Sequence, residues 1–157
     1  MGRKVTFTLR GHLQPKQRPR RVSRGGTFFW ITPQETLACE KRIADEARLA
    51  MLRREPFTGY IALHINVIEA VAPSWTVKKK QAALAGDILP TGCDWDNQAK
   101  TIGDALNGIV YTDDRQIVFA QFMRSYGEAD AAVISVMEIA DATAFISQQR
   151  ELGFNNA

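Results

Sequence analysis

Tyr60-Ile61-Ala62-Leu63-His64-Ile65-Asn66-Val67-Ile68 alternates without a break. Ile61, Leu63, Ile65 and Val67 fall on one side and Ala62, His64 and Asn66 on the other, the period of a β-strand. Upstream, Leu37, Ile43, Ala44, Ala47 and Met51 form a helical stripe, predicting a helix over about 33–54. Thr32-Pro33 reads as its N-cap with Pro in the first helical position, and Pro56 and Gly59 end it. Thr27–Ile31 reads as a short strand. Residues 11–26 show no apolar periodicity and read as a basic loop closed by Gly25-Gly26. Residues 3–10 put Val5, Phe7 and Leu9 on one face, a half-buried strand.

Downstream, the run from Ser74 to Leu84 opens like a capped helix with a basic face, and 87–93 reads as a loop. Residues 95–107 suit a helix whose core-facing stripe is Trp95, Ala99, Ile102 and Leu106, stopped by Asn107-Gly108. A polar turn at Thr112-Asp113-Asp114 leads to strands at about 116–125 and 131–138, joined by Gly127. A last helix covers about 141–152 in a C-terminal tail at 141–157. The order ββαβααββα lacks the regular alternation of a doubly wound sheet. It predicts the α+β class, a small mixed sheet packed against helices.

At 157 residues the chain fits one domain, 1–157, large enough to bury a core without staples. Two cysteines, Cys39 and Cys93, cannot make a disulfide scaffold, and two histidines, His12 and His64, argue against a His-rich metal site. Neither a transmembrane run nor a secretory h-region is visible, so a cytoplasmic protein with reduced thiols is expected. Cys39 and Cys93 read as packing residues, His64 as a sheet residue rather than a base, and Trp75 and Trp95 as core anchors rather than base-stacking platforms. Walker, GxGxxG, GxSxG and HExxH motifs are absent.

The net charge of +3 conceals a division. Residues 1–34 hold eight cations (Arg3, Lys4, Arg10, Lys16, Arg18, Arg20, Arg21, Arg24) and no acid, leaving a body of net −5. A basic head on an acidic body suggests a polyanion-binding edge beside something that needs carboxylates. Lys78-Lys79-Lys80 adds a second basic patch.

Asp94, Asp96, Asp104, Asp113 and Asp114 fall within 21 residues. Asp96, Lys100 and Asp104 share one helix face at i, i+4 and i+8. Such a cluster is costly unless a cation sits in it, and its oxygen donors suit Mg²⁺ rather than zinc. The same residues also suit plainer roles. Asp94 could be an N-cap, Asp96 and Lys100 a surface pair, and Asp113-Asp114 a turn. The EF-hand pattern is excluded, since Gln98 and Ala99 stand where Asp or Asn and then Gly are needed.

Read together, Asp94-Trp95-Asp96-Asn97-Gln98-Ala99-Lys100, Asp104-Ala105-Leu106-Asn107-Gly108 and Asp113-Asp114-Arg115-Gln116-Ile117 resemble the signature of the RusA family. These are endodeoxyribonucleases that resolve Holliday junctions and are often carried by phages and prophages. Pro15-Lys16-Gln17-Arg18-Pro19-Arg20 is similar to the family's N-terminal basic element. Pro73-Ser74-Trp75 with Lys78-Lys79-Lys80 is similar to the segment before the acidic motif, so the resemblance spans roughly residues 5 to 137. Many members carry Lys-Pro before the first Asp, where this chain has Gly92-Cys93.

The resemblance implies a homodimeric, Mg²⁺- or Mn²⁺-dependent nuclease with an α+β subunit, acting on four-way or other branched DNA in recombination and repair. Its catalytic and metal-holding carboxylates carry over to Asp94, Asp96 and Asp114, and its catalytic lysine to Lys100. Lys16, Arg18, Arg20, Lys78, Lys79 and Lys80 are the expected phosphate contacts. The alternatives are a non-catalytic DNA-binding module whose acids are structural caps, and a nuclease specific for forks or flaps.

Overall fold

The chain runs β1 (Lys4–Arg10), β2 (Arg20–Arg24), β3 (Thr27–Ile31), α1 (Gln34–Met51), β4 (Tyr60–Ala70), α2 (Val77–Ala85), α3 (Trp95–Leu106), β5 (Ile117–Gly127), β6 (Ala131–Ile139) and α4 (Ala142–Glu151). A computed structural model describes residues 2–153. The alternating stretch at 60–68 becomes β4, an interior strand of a sheet ordered β1-β6-β4-β5. β1 and β6 pair antiparallel, as do β6 and β4, whereas β4 and β5 are parallel. The sheet is therefore mixed, as expected.

One sheet face carries Val5, Phe7, Leu9, Ile61, Leu63, Ile65, Val67, Ile134 and Val136. All are buried in one core with Ile43, Ala47 and Met51 of α1 and Ile102 and Leu106 of α3. Parallel neighbours cannot be joined by a hairpin and need a crossover. That crossover, between β4 and β5, carries α2, α3 and the Asp113-Asp114 turn. The acidic residues therefore ride on a connection pinned to the sheet at both ends. None of the described helices is long and apolar enough to cross a membrane.

Several expectations need correction. The basic loop at 11–26 is not one loop. Its second half is β2, paired with β3 in a separate hairpin. Gly25 and Gly26 both take positive φ, 58° and 80°, as a two-residue type I′ turn requires, so the glycine pair turns a hairpin. Its first half is a strap against the helices, described below.

The long helix starts at Gln34, with Pro33 rather than Thr32 in the N-cap position, and ends at Met51. Leu52 and Arg53 turn left-handed there, and the Arg54 guanidinium donates to the Met51 and Ala50 carbonyls. Its buried row is Thr36, Cys39, Ile43, Ala44, Ala47 and Met51, whereas Leu37 is 49% exposed. Leu37 lies about 100° around the helix from Thr36. The helix after Pro73 starts at Val77, with Thr76 as its cap.

Trp95 is not core but 59% exposed, because it sits at the helix start above the edge strand β5, against Phe122. Helices lie on both faces of the sheet, since Phe145 of α4 meets Phe119, which lies on the His64 side. The expected C-terminal tail is described through Gly153, and residues 154–157 lie outside the described residues.

Candidate active site

Asp94 occupies the N-cap position of α3, yet its carboxylate makes no capping hydrogen bond. An N-cap Asp ordinarily accepts from the N–H groups of the first turn. Here that acceptor capacity is unspent. Asp96, in the same turn, is exposed. Among the described residues, Asp94, Asp96 and Asp114 form no ion pair.

The other two aspartates are committed. Asp113 caps the 3-10 turn Asp114–Gln116 in a reciprocal box. Its carboxylate accepts from the Arg115 N–H, and its own N–H donates to the Gln116 side chain. The Arg115 guanidinium grips both oxygens at 2.9 and 2.8 Å and holds the Asp113 carboxyl far below the usual range. Gln116 then donates to the Phe57 and Gly59 carbonyls and fixes the turn against the start of β4.

Asp104 binds the Lys16 ammonium at 2.8 Å, and Lys100 approaches it more loosely at 3.8 Å. Lys16 also pairs with Glu40 of α1. Burial alone would lower the Lys16 pKa, but hydrogen bonds to Asp104 and Glu40 outweigh it and raise the pKa. The lysine expected on a phosphate is thus engaged inside the protein.

Its backbone is engaged as well. The Lys16 N–H donates to the Asn97 carbonyl at 2.9 Å, the Gln17 N–H to the Thr36 hydroxyl, and the Thr101 hydroxyl to the Gln14 carbonyl. With Leu13 buried, residues 13–17 form a strap along α3 and α1.

Tyr111 ties α3 to the acidic turn. Its buried hydroxyl donates to the Gly103 carbonyl at 2.9 Å, and its pKa is raised by burial and by the charges of Asp114 and Asp104. The turn therefore folds back along α3, near Gly103 and Asp104. Among the described residues, no three His, Cys, Asp or Glu side chains converge into a ready-made metal cage.

The donor chemistry still fits a hard divalent cation. Mg²⁺ needs one or two carboxylates and takes its remaining ligands from water and phosphate oxygens. A further carboxylate lies close by, since Glu69 of β4 buries Oε1 without a hydrogen-bond partner and its charge reaches Cys93, next to Asp94.

Sequence reasoning missed Arg124. Its guanidinium donates to the Cys93 carbonyl at 2.7 Å, so β5 holds the residue immediately before Asp94. A visible signal existed, because Arg124 falls on the parity of Ala120 and Phe122, facing inward on a strand. Cys93 is half-buried and its thiol is pushed up, chiefly by burial, which suits packing rather than nucleophilic attack. Beside it, Trp95, Ala99, Phe122 and Arg124 border a groove of about 510 Å³.

The remaining cations differ in freedom. Arg18 and Arg20 are exposed and form no ion pair among the described residues. On α2, Lys80 turns back to the Pro73 carbonyl, Lys79 sits 3.9 Å over the Trp75 ring, and Lys78 is exposed. Trp75 in turn packs edge-on against Tyr126. His64 contacts Gln121 across the sheet and remains a sheet residue.

Comparison with known proteins joins this geometry to a lineage. An uncharacterized protein of Bacillus subtilis (strain 168), YqaN, is 28% identical over 141 residues, covering 86% of this chain and 96% of its own length. The family described as endodeoxyribonuclease RusA matches residues 11–137, from the strap through α3 and the acidic turn to β6. By that match the chain belongs to the RusA family of endodeoxyribonucleases.

Proposed function

We propose that this nuclease resolves Holliday junctions by paired, divalent-metal-dependent nicks, as a homodimer in the cytoplasm of a bacterial or phage-infected cell. The observation that carries the reading is the unspent state of Asp94, Asp96 and Asp114 on a pinned crossover, beside aspartates that are fully committed. Carboxylates left without a cation are characteristic of sites that take a charged ligand.

Hydrolysis forms a bond from water oxygen to phosphorus and breaks the bond to the leaving sugar oxygen. Asp94, Asp96 and Asp114 would hold Mg²⁺ or Mn²⁺. When bound, the ion supplies charge neutralisation and a water acidic enough to react near neutral pH. Lys100, one turn after Asp96 and exposed, stabilises the negative charge building on the scissile phosphate. Arg124 acts at one remove by fixing the Cys93 carbonyl before Asp94. Arg18, Arg20 and the Lys78–Lys80 face bind flanking phosphates. Two copies about a two-fold axis would present two sites to a four-way junction, matching its symmetry.

The test compares cleavage of a synthetic four-way junction, a fork and a linear duplex, with Mg²⁺ or with EDTA. Mg²⁺-dependent paired nicking of the junction is expected. Preference for the fork would move the assignment to fork cleavage, and binding without nicking of any substrate would leave only a DNA-binding module.

A further inference from the structure

Among the described residues, the β2–β3 hairpin lies outside the main sheet, pairs only with itself, and exposes four consecutive large apolar side chains. Phe28 is 59% exposed, Trp30 73%, and Phe29 and Ile31 about half. The pairing register sorts them. Arg21 stands opposite Trp30 and Ser23 opposite Phe28 on one side; Arg20 faces Ile31, Val22 faces Phe29 and Arg24 faces Thr27 on the other. The Arg21 guanidinium already stacks over the Phe28 ring at 3.7 Å. Each side of the ribbon therefore carries both arginine and aromatic surface.

The root of the hairpin is fixed. Lys16 is hydrogen-bonded to Asn97, the residue after Asp96, and Arg20 follows only four residues later. Four residues span at most about 14 Å, so the ribbon begins within that distance of the first turn of α3.

We propose that the Trp30–Phe28 side of this hairpin stacks on bases left unstacked at a DNA branch point, while Arg21 on the same side holds the adjoining phosphate. The hairpin then carries the discrimination between branched and linear DNA. The inference rests on the reading of the chain as a nuclease for branched DNA.

Aromatic faces interleaved with cations match the two chemistries of an open nucleic-acid strand, π faces and phosphates. A linear duplex offers phosphates but keeps its base faces stacked. A second copy of this chain fits poorly. The two arginine-rich ribbons would repel each other, and no acid within residues 1–34 could neutralise them.

The experiment uses the full chain carrying Asp96→Asn, with and without the Phe28→Ala/Trp30→Ala pair. It measures Kd for a synthetic four-way junction and for a linear duplex of equal length. The expected result is a junction Kd raised about tenfold or more, with the duplex Kd changed by less than about twofold. Trp30→Phe alone should stay within about threefold of the parent on the junction, since a stacking ring remains. A 2-aminopurine placed at the branch should lose its protein-induced fluorescence change in the double variant.

Equal weakening on both DNAs, or no weakening, overturns the proposal. A drop in mass by light scattering also overturns it, reassigning the hairpin to self-association. Cleavage by the unmutated chain is scored on the same DNAs. If that chain nicks none of them, the nuclease reading has failed; if it nicks the junction while the hairpin variants bind like the parent, only this inference has.

Discussion

Carboxylates in two regions of this molecule are treated in opposite ways. Beside the strand ends, Glu138 accepts from the Arg3 guanidinium at 2.8 and 3.1 Å and from the Thr58 and Gly59 N–H groups at 3.0 and 2.8 Å. Both its oxygens are used, and it clamps β1, β6 and the entry to β4 together. At the start of α3 and in the turn that folds back near Gly103, Asp94, Asp96 and Asp114 accept no such bonds from cations among the described residues, although Arg115 and Lys16 serve Asp113 and Asp104. The difference is not a shortage of cations. On the function proposed above, it separates carboxylates that hold the fold from carboxylates left open for a metal.

The comparison predicts a clean exchange of phenotypes. Asp96→Asn or Asp114→Asn should lower cleavage by about 10²–10³-fold or more while leaving the melting temperature and junction binding intact. Asp113→Asn should do the reverse, lowering the melting temperature through loss of the Arg115 grip while cleavage persists. Unimpaired Mg²⁺-dependent nicking by Asp96→Asn would erase the distinction between the two regions.

The free cations of the basic head offer a second break point. Neutralising Arg18 and Arg20 together should reduce the slope of log affinity against log salt by about two, because each phosphate contact contributes about 0.9. An unchanged slope would take these residues out of the interface.

On the structural side, Glu138→Gln should cost about 1–3 kcal/mol, read by denaturant unfolding at pH 7. The Arg3 hydrogen bond, with those from Gly59 and Thr58, holds the Glu138 carboxyl down at about 2, against an ordinary 4.5. A depressed folded-state pKa contributes stability that is complete above about pH 4.5 and lost as pH falls toward 2. The parent should therefore lose stability to Glu138→Gln across that window, and the gap between them should close at its acid end.

Much of this division was legible in the sequence. Period-two alternation marked β1, β4 and β6 because each has a buried parity, and the spacing of aspartates gathered the acidic cluster. Three things escaped. β2 carries three arginines in five residues and no buried side, so no periodicity marks it, and only the left-handed Gly25-Gly26 pair reveals it. Trp95 fits the helical stripe in sequence, but the stripe outruns the sheet at the edge strand β5. Which aspartates are spent depends on Arg115 and Lys16. For Lys16 the partner lies dozens of residues away, where spacing carries no information, and the same holds for the reach of Arg124 to the Cys93 carbonyl.

Lys16 gives the narrowest test, because sequence and structure assign it to different regions. Its place in a basic segment makes it a phosphate contact. Its geometry makes it the cation shared by Asp104 and Glu40, with its side chain about one-fifth exposed. Lys16→Ala would leave Glu40 without its cation and Asp104 with only the looser Lys100 contact, a loss of about 1–2 kcal/mol by denaturant unfolding. It would also loosen the strap that roots the hairpin next to Asn97. If the ion pairs govern, the salt slope of DNA binding should be that of the parent, and adding Asp104→Asn to Lys16→Ala should cost less than the sum of the separate changes. A slope reduced by about one at unchanged stability would return Lys16 to the phosphate-binding set with Arg18 and Arg20.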